Sequence, residues 1–128
     1  YRYRMTGTVM VGDGRGRQLG VPTANLDVHP DKLVPGDGIY AVDACLPGAG
    51  HHRGVMHIGE RPVFGRPRAL EVHLLDFNGD LYLQPLTVVF LARLREIRNF
   101  PDANALVAQM REDIAQARTL DVSPPENA

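Results

Sequence analysis

The sequence predicts a mainly β domain of five or six short antiparallel strands followed by one C-terminal helix. Glycine and proline, 13 and 10 of the 128 residues, divide most of the chain into short runs typical of strands and turns. Apolar residues recur at helical spacing only after Phe100. Strands joined by tight turns form antiparallel sheets, and closing a small sheet removes its unpaired edges. We therefore expect a barrel with the helix lying on it or across one end.

Apolar runs bounded by glycine, proline or asparagine predict the individual strands. In chain order these runs are Met5–Val11, Gly38–Leu46, Gly54–Ile58, Leu70–Phe77 and Leu86–Leu94. The fourth run alternates in character, which places Glu71 and His73 on one face. It ends at Asn78-Gly79, the dipeptide most typical of a two-residue hairpin turn.

A helix of roughly 15–18 residues is predicted after Pro101, with Asp102 or Asn104 near its N-cap. Its apolar stripe consists of Leu106, Met110, Ile114 and Ala117. We expect one domain over residues 1–120, with residues 121–128 as a flexible tail that contains Pro124-Pro125.

Composition argues against several classes of partner. Lys and Arg total 14 and Asp and Glu total 15, so a net charge of −1 gives no bias towards nucleic acid or membranes. No run approaches the roughly 18 apolar residues of a membrane-spanning helix. The single cysteine, Cys45, excludes a disulfide framework and a Cys-based zinc site, and we expect it to be a buried small hydrophobe. A cytoplasmic location fits this cysteine usage.

A glycine-rich and arginine-rich stretch is the first candidate for binding chemistry. Its glycines are Gly12, Gly14, Gly16 and Gly20. Backbone N–H groups at glycines can approach an anion closely, and the forked guanidinium groups of Arg15 and Arg17 suit phosphate oxygens. The Walker A pattern is absent. A solvated Gly/Arg turn without a ligand is the alternative.

Pro22-Thr23-Ala24-Asn25 is the second candidate. Pro22 favours an extended segment, in which Thr23 and Asn25 point to the same face. Their neutral oxygens are acceptable Mg²⁺ ligands when phosphates supply the negative charge. The alternative is a local turn in which these side chains satisfy the backbone.

Glu71 is the third candidate, because a carboxylate among apolar neighbours can act as a general base towards a hydroxyl. An exposed carboxylate on a solvated strand face is the alternative. His51, His52 and His57 lack a recognised ligand spacing, so we predict no metal site there.

Together these motifs resemble the riboflavin kinase family over roughly residues 4–118. The matching segments are Gly7–Gly12 (GTVMVG), Arg15–Arg17 (RGR), Leu19–Asn25 (LGVPTAN), Gly38–Ala41 (GIYA), Ile58–Pro62 (IGERP), Leu70–Tyr82 (LEVHLLDFNGDLY) and Phe90–Phe100 with the helix after it. An ordered series of motifs is much more specific than any one of them.

The resemblance implies phosphorylation of the riboflavin 5′-hydroxyl by ATP, giving FMN and ADP with the help of Mg²⁺. It also implies a six-stranded antiparallel Greek-key barrel with a C-terminal helix. In bacteria such a module usually follows an N-terminal FMN adenylyltransferase domain. A chain that begins at Tyr1–Arg4, just before the first strand, fits either an excised half or a stand-alone homologue.

Residue roles carried over from the family concern both substrates. Thr23 and Asn25 are expected to bind Mg²⁺ and phosphate oxygens, while Gly12, Gly14 and Arg17 are expected to bind the nucleotide.

On the flavin side, Glu71 is the expected base, and Arg95 and Phe100 are expected to bind the flavin. Four positions depart from the family pattern and bear on flavin affinity, namely His57, Val63, Leu83 and Ile97.

Two other functions remain open. One is a catalytically weak or inactive flavin-binding or nucleotide-binding module of the same fold, which Leu83 and Ile97 motivate. The other is an oligonucleotide-binding barrel, against which stand the near-zero net charge and a content of only four Tyr and four Phe. We therefore predict no nucleic-acid partner.

Overall fold

The computed structural model describes residues 3–10, 24–28, 34–46, 48, 50–59, 69–75, 83–98 and 100–120. Their strands are β1 (Arg4–Met10), β2 (Ala24–Asp27), β3 (Gly38–Leu46), β4 (Gly50–Gly59), β5 (Ala69–Leu74) and β6 (Pro85–Arg95), and their helix is α1 (Ala103–Thr119). The strands close into a barrel in the order β1-β2-β5-β4-β3-β6, and every neighbouring pair is antiparallel. Because β6 returns beside β3, strands β3 to β6 form a Greek key. The predicted fold is confirmed.

Strand bounds differ from the predictions in informative ways. β2 was expected only as an extended segment, because a strand of four residues is too short to show a periodic pattern. β4 begins at Gly50 rather than Gly54, since its polar first residues pair with β3 down to Leu46. β5 ends at Leu74 rather than Phe77. The predicted Asn78-Gly79 turn and the tail at 121–128 lie outside the described residues.

The barrel core is built from the inward-facing residues of each strand. Its most deeply buried large side chains include Met5, Met56, Ile58, Leu86, Val42, Val72 and Val88. Burial of each such side chain stabilises the fold by about 1.5–3 kcal/mol. The outward residue Ala41 is also buried, because α1 covers it. Cys45 lies further along that face and is only partly buried, so the expectation that it is a buried small hydrophobe was wrong.

Helix α1 is held at both ends by side chains. Asp102 is its N-cap, and the Asp102 Oδ1 atom accepts a hydrogen bond from the Ala105 N–H at 2.8 Å. At the other end, Nη1 of Arg53 donates to the carbonyl oxygens of Ala117 and Leu120 at 2.7 and 3.1 Å. Because Arg53 lies on β4, this contact fixes the end of α1 against the barrel. In the described part of the chain, no helix has the length and apolar character needed to cross a membrane.

Gly7 shows why the first motif begins with glycine. A Cβ atom at this position would lie 2.6 Å from the Asp27 carbonyl oxygen and 2.9 Å from Cγ of Leu26. Such distances are far below van der Waals contact, so β1 and β2 can pair this closely only with glycine here. Gly7 therefore has a structural role, which is to allow β1 and β2 to pair.

Leu83 is the one described non-glycine residue with a positive φ, 63°, and its side chain is 57% exposed. A β-carbon in this conformation costs roughly 1–2 kcal/mol, whereas the extra freedom of glycine in the unfolded chain costs about 0.5–1 kcal/mol. We expect Leu83→Gly to raise the free energy of unfolding by about 0.5–1 kcal/mol, measured by urea denaturation. Gln84, the next residue, does not have a positive φ, so Gln84→Gly should lower the free energy of unfolding. A less stable Leu83→Gly variant would contradict this account.

Candidate functional site

A row of outward-facing residues crosses all six strands of the barrel. Directly opposed residues of antiparallel strands project to the same face. Following the strand pairs from β1 to β6, the row consists of Met10, Asn25, Glu71, His57, Ile39 and Arg95. The adjacent row, Ala24, Val72, Met56 and Tyr40, packs in the core. The first row therefore lies on the outer surface of the barrel.

Asn25 and Glu71 are neighbours in this row. They are direct partners across β2 and β5, which places their Cβ atoms roughly 4.5–5.5 Å apart. Asn25 is 6% exposed, and Glu71 is partly buried. Both residues make further polar contacts within the protein. Asn25 and Glu71, both predicted as site residues, therefore lie side by side on one surface.

The predicted nucleotide side of the site lies in the stretch of chain between β1 and β2. β1 ends at Met10, β2 begins at Ala24, and Met10 pairs with Asn25. The described ends of β1 and β2 on either side of this stretch therefore lie next to each other. Its predicted site residues, namely Gly12, Gly14, Arg17 and Thr23, lie outside the described residues. Their roles stay predictions.

His57 and Ile97, two of the departures from the family pattern, both lie close to Gly59. A Cβ atom on Gly59 would lie 2.9 Å from Cε1 of His57 and 3.1 Å from Cδ1 of Ile97. The absence of that Cβ leaves room for both the imidazole ring and the isoleucine side chain beside Gly59. His57 is also the direct partner of Glu71, the candidate base, on the neighbouring strand.

Arg95 is engaged within the protein through all three of its side-chain nitrogens. Nε and Nη2 donate to Oδ1 and Oδ2 of Asp113 at 2.8 and 2.7 Å, and Nη1 donates to the Glu96 carbonyl oxygen at 2.9 Å. Its Cζ atom also lies 5.8 Å from the ring centroid of Phe100. Arg95 and Phe100, the two residues predicted to bind the flavin, therefore lie close together. The Arg95 side chain points towards α1.

Asp113 is a functional candidate that sequence reasoning missed. Its side chain is 3% exposed and that of Arg95 is 15% exposed, so this two-bond ion pair is largely desolvated. Removing one partner of such a pair commonly costs about 3–5 kcal/mol of stability. The signal was available, because Asp113 lies three residues after Met110 and four before Ala117, on the buried side of α1. A carboxylate on an apolar stripe indicates a buried partner.

The described residues fit a metal site with neutral oxygen ligands better than one built from carboxylates or imidazoles. Among them, no group of three or more His, Cys, Asp or Glu side chains could hold a metal ion. A site built by protein carboxylates or imidazoles is therefore not formed in this part of the chain. The buried Asn25 offers a neutral oxygen, which suits a hard cation whose charge is balanced by ligand phosphates.

Comparison with known proteins gives a consistent result. The family model for flavokinase, described as riboflavin kinase, matches residues 1–120. A bifunctional riboflavin kinase/FMN adenylyltransferase from Pseudomonas fluorescens is 46% identical over 120 residues, which is 92% of this chain. The chain spans only 38% of the length of that relative.

Two solved structures resemble the barrel. A protein from Streptococcus pneumoniae that its structure describes as a macrolide-efflux protein matches with a TM-score of 0.85 and 32% identity, covering 94% of this chain and 40% of its own. Riboflavin kinase from Trypanosoma brucei matches with a TM-score of 0.63 and 22% identity, covering 91% of this chain and 78% of its own. The second likeness concerns the fold alone.

Proposed function

Because the chain belongs to the riboflavin kinase family, we propose that it transfers the γ-phosphoryl group of ATP to the 5′-hydroxyl of riboflavin. The products are FMN and ADP. The observation that carries this proposal is the direct pairing of Asn25 with Glu71 on the outer surface of the barrel. A neutral oxygen ligand beside a carboxylate is what phosphoryl transfer to an alcohol needs, since it depends chiefly on positioning and charge neutralisation.

Glu71 acts as the general base in this proposal. Its carboxylate accepts the proton of the 5′-hydroxyl as the hydroxyl oxygen attacks the γ-phosphorus. The new P–O bond forms while the bond to the β,γ-bridging oxygen breaks, and the electron pair of that bond leaves with ADP. The strand that carries Glu71 is rigid, because β5 is hydrogen-bonded to β2 on one side and to β4 on the other. The point from which the carboxylate projects is therefore fixed.

The nucleotide side uses the residues next to Asn25. Thr23 and Asn25 would hold Mg²⁺ through a hydroxyl and a carboxamide oxygen, and Gly12, Gly14 and Arg17 would contact the phosphates. When bound, the metal would neutralise charge on the transferring phosphates. Near-complete burial restricts the Asn25 side chain to few positions beside Glu71.

On the flavin side, Phe100 offers an aromatic surface and Arg95 holds the chain beneath it. Because all three nitrogens of Arg95 are engaged within the protein, its contribution is to fix this region. This assignment refines the expectation that Arg95 contacts the flavin itself. Since the chain spans 38% of its Pseudomonas relative, we further propose that an FMN adenylyltransferase domain accompanies this module.

A second candidate function is a module that binds flavin or nucleotide without turnover. It is favoured by His57, Ile97 and the exposed Leu83, which all depart from the family pattern. Incubation of the purified chain with riboflavin, ATP and Mg²⁺ separates the two. We expect FMN and ADP to accumulate in equal amounts, measured by chromatography. Bound riboflavin that is never phosphorylated would support the binding module.

A further inference from the structure

Leu83 forms a bulge where the chain entering β6 meets β1. The Leu83 N–H donates to the Val9 carbonyl oxygen at 2.7 Å, and the Val9 N–H donates to the Gln84 carbonyl oxygen at 3.0 Å. Two residues on one side therefore oppose a single residue on the other, which defines a β-bulge. When the first residue of such a bulge is left-handed, it is usually glycine. Here leucine holds that conformation, with a φ of 63°.

The conformation of Leu83 is unfavourable, and burial does not offset it. A β-carbon in the left-handed region lies too close to the following carbonyl oxygen. The residue is 57% exposed, so much of its apolar surface remains in water. Backbone strain of this kind clusters at ligand-binding and active sites. A strained and exposed leucine therefore indicates a contact that forms when a ligand binds.

Leu83 lies beside the end of β1 from which the row of outward-facing residues starts. β6 and β2 flank β1 on opposite sides, and Met10, the residue after Val9, pairs with Asn25. Asn25 in turn pairs with Glu71. Since neighbouring strands lie about 4.8 Å apart, Leu83 lies about 10 Å from Asn25 and about 15 Å from Glu71 along the barrel surface. Asn25 is therefore placed between Leu83 and the candidate base.

The direction of phosphoryl transfer decides which substrate extends towards Leu83. The attacking and leaving oxygens lie on opposite sides of the transferred phosphorus. Because the acceptor hydroxyl approaches from Glu71, the leaving diphosphate points from Asn25 towards β1, and the nucleoside follows it. The departure from the family pattern at Leu83 was expected to bear on flavin affinity. The strand order instead favours the donor side.

We infer that Leu83 is a specificity-determining residue, whose exposed side chain packs against the flat base of the donor nucleotide. The inference rests on the proposed function, because that function sets the direction in which the phosphoryl group moves. The faces of a nucleobase are apolar, and a purine presents a larger face than a pyrimidine. Burial of the leucine side chain against a purine therefore adds affinity that the phosphates alone do not supply.

Leu83→Gly tests the inference, and two ligands separate the base from the phosphates. We expect the Kd for ADP with Mg²⁺, measured by calorimetry, to rise about fivefold, while the Kd for inorganic pyrophosphate with Mg²⁺ changes by less than about twofold. The KM for ATP should rise more than the KM for CTP. Since the same variant should resist urea better than the wild type, lost structure would not explain weaker ADP binding. Gln84→Ala, at the exposed second position of the bulge, should leave both Kd values unchanged.

Two further variants separate the apolar surface of Leu83 from its backbone conformation. Leu83→Met keeps an apolar side chain, so its Kd for ADP should stay close to that of the wild type. Leu83→Asn is polar but tolerates the left-handed conformation, so its Kd should rise about fivefold. An unchanged Kd for ADP in Leu83→Gly, or equal losses for ADP and pyrophosphate, would overturn the inference. A rise in the riboflavin Kd without nucleotide would also overturn it, because it would place Leu83 on the acceptor side.

Failure of the proposed function gives a different result. A wild-type chain that binds ADP more tightly than Leu83→Gly does, but forms no FMN from riboflavin and ATP, would overturn the proposed function and leave the base contact in place. FMN formation together with the same Kd for ADP in the wild type and in Leu83→Gly would overturn this inference alone.

Discussion

Replacement of Glu71 by Gln is expected to lower the kcat for FMN formation by about 10²-fold or more, the usual loss when a general base is removed. The amide cannot accept the proton of the 5′-hydroxyl, but it has nearly the same size and keeps the place of the side chain on β5. Affinity for ATP should therefore stay close to that of the wild type. Steady-state kinetics with saturating riboflavin, and nucleotide binding by calorimetry, measure the two quantities separately.

Two companion variants sharpen this result. Glu71→Asp keeps a carboxylate but withdraws it by one methylene, so its kcat should lie between those of the wild type and Glu71→Gln. Glu112→Gln removes an exposed carboxylate of α1 that belongs to no strand of the row, and should leave kcat unchanged. Wild-type turnover in Glu71→Gln would remove Glu71 from the role of base.

The barrel was predictable because its inward positions obey a two-residue period. This period is clearest in β5, whereas β3 is buried at eight of its nine residues and was recognisable as an apolar run bounded by glycine and proline. Asp102 was recognisable as a helix N-cap. β2 did not stand out, since four residues do not define a period. Its existence became clear only through pairing with β1 and β5, which is long-range information.

The site was predictable in its residue types more than in its geometry. Asn25 and Glu71 were selected separately, and only the strand register shows that they oppose each other. The partner of Arg95 was missed, because Asp113 is 18 residues away and belongs to another element. The approach of Ile97 to Gly59 likewise depends on how the chain continues after β6. Sequence patterns report local preferences, whereas these contacts arise from closure of the barrel.

Replacement of Asn25 by Leu is expected to weaken Mg²⁺-dependent binding of ADP by about tenfold and to lower kcat by about 10–10²-fold. Leucine has a similar volume and tolerates burial, but it offers no oxygen to a cation. Asn25 is 6% exposed and makes further polar contacts, so loss of these contacts should also cost about 1–3 kcal/mol of stability. Thermal unfolding without ligand measures this second effect by itself.

Asn25→Asp provides the matched control, because it restores an oxygen at the same place. We expect this variant to retain Mg²⁺-dependent ADP binding better than Asn25→Leu does, even where its thermal stability is no higher. Riboflavin affinity in the absence of nucleotide should be the same in both variants, since the flavin side of the row lies beyond Glu71, towards His57 and Arg95. Equal loss of Mg²⁺-dependent binding in both variants would show that the Asn25 oxygen is not a ligand. The barrel position of Asn25 would then matter for packing alone, and phosphate and metal binding would have to come from other residues.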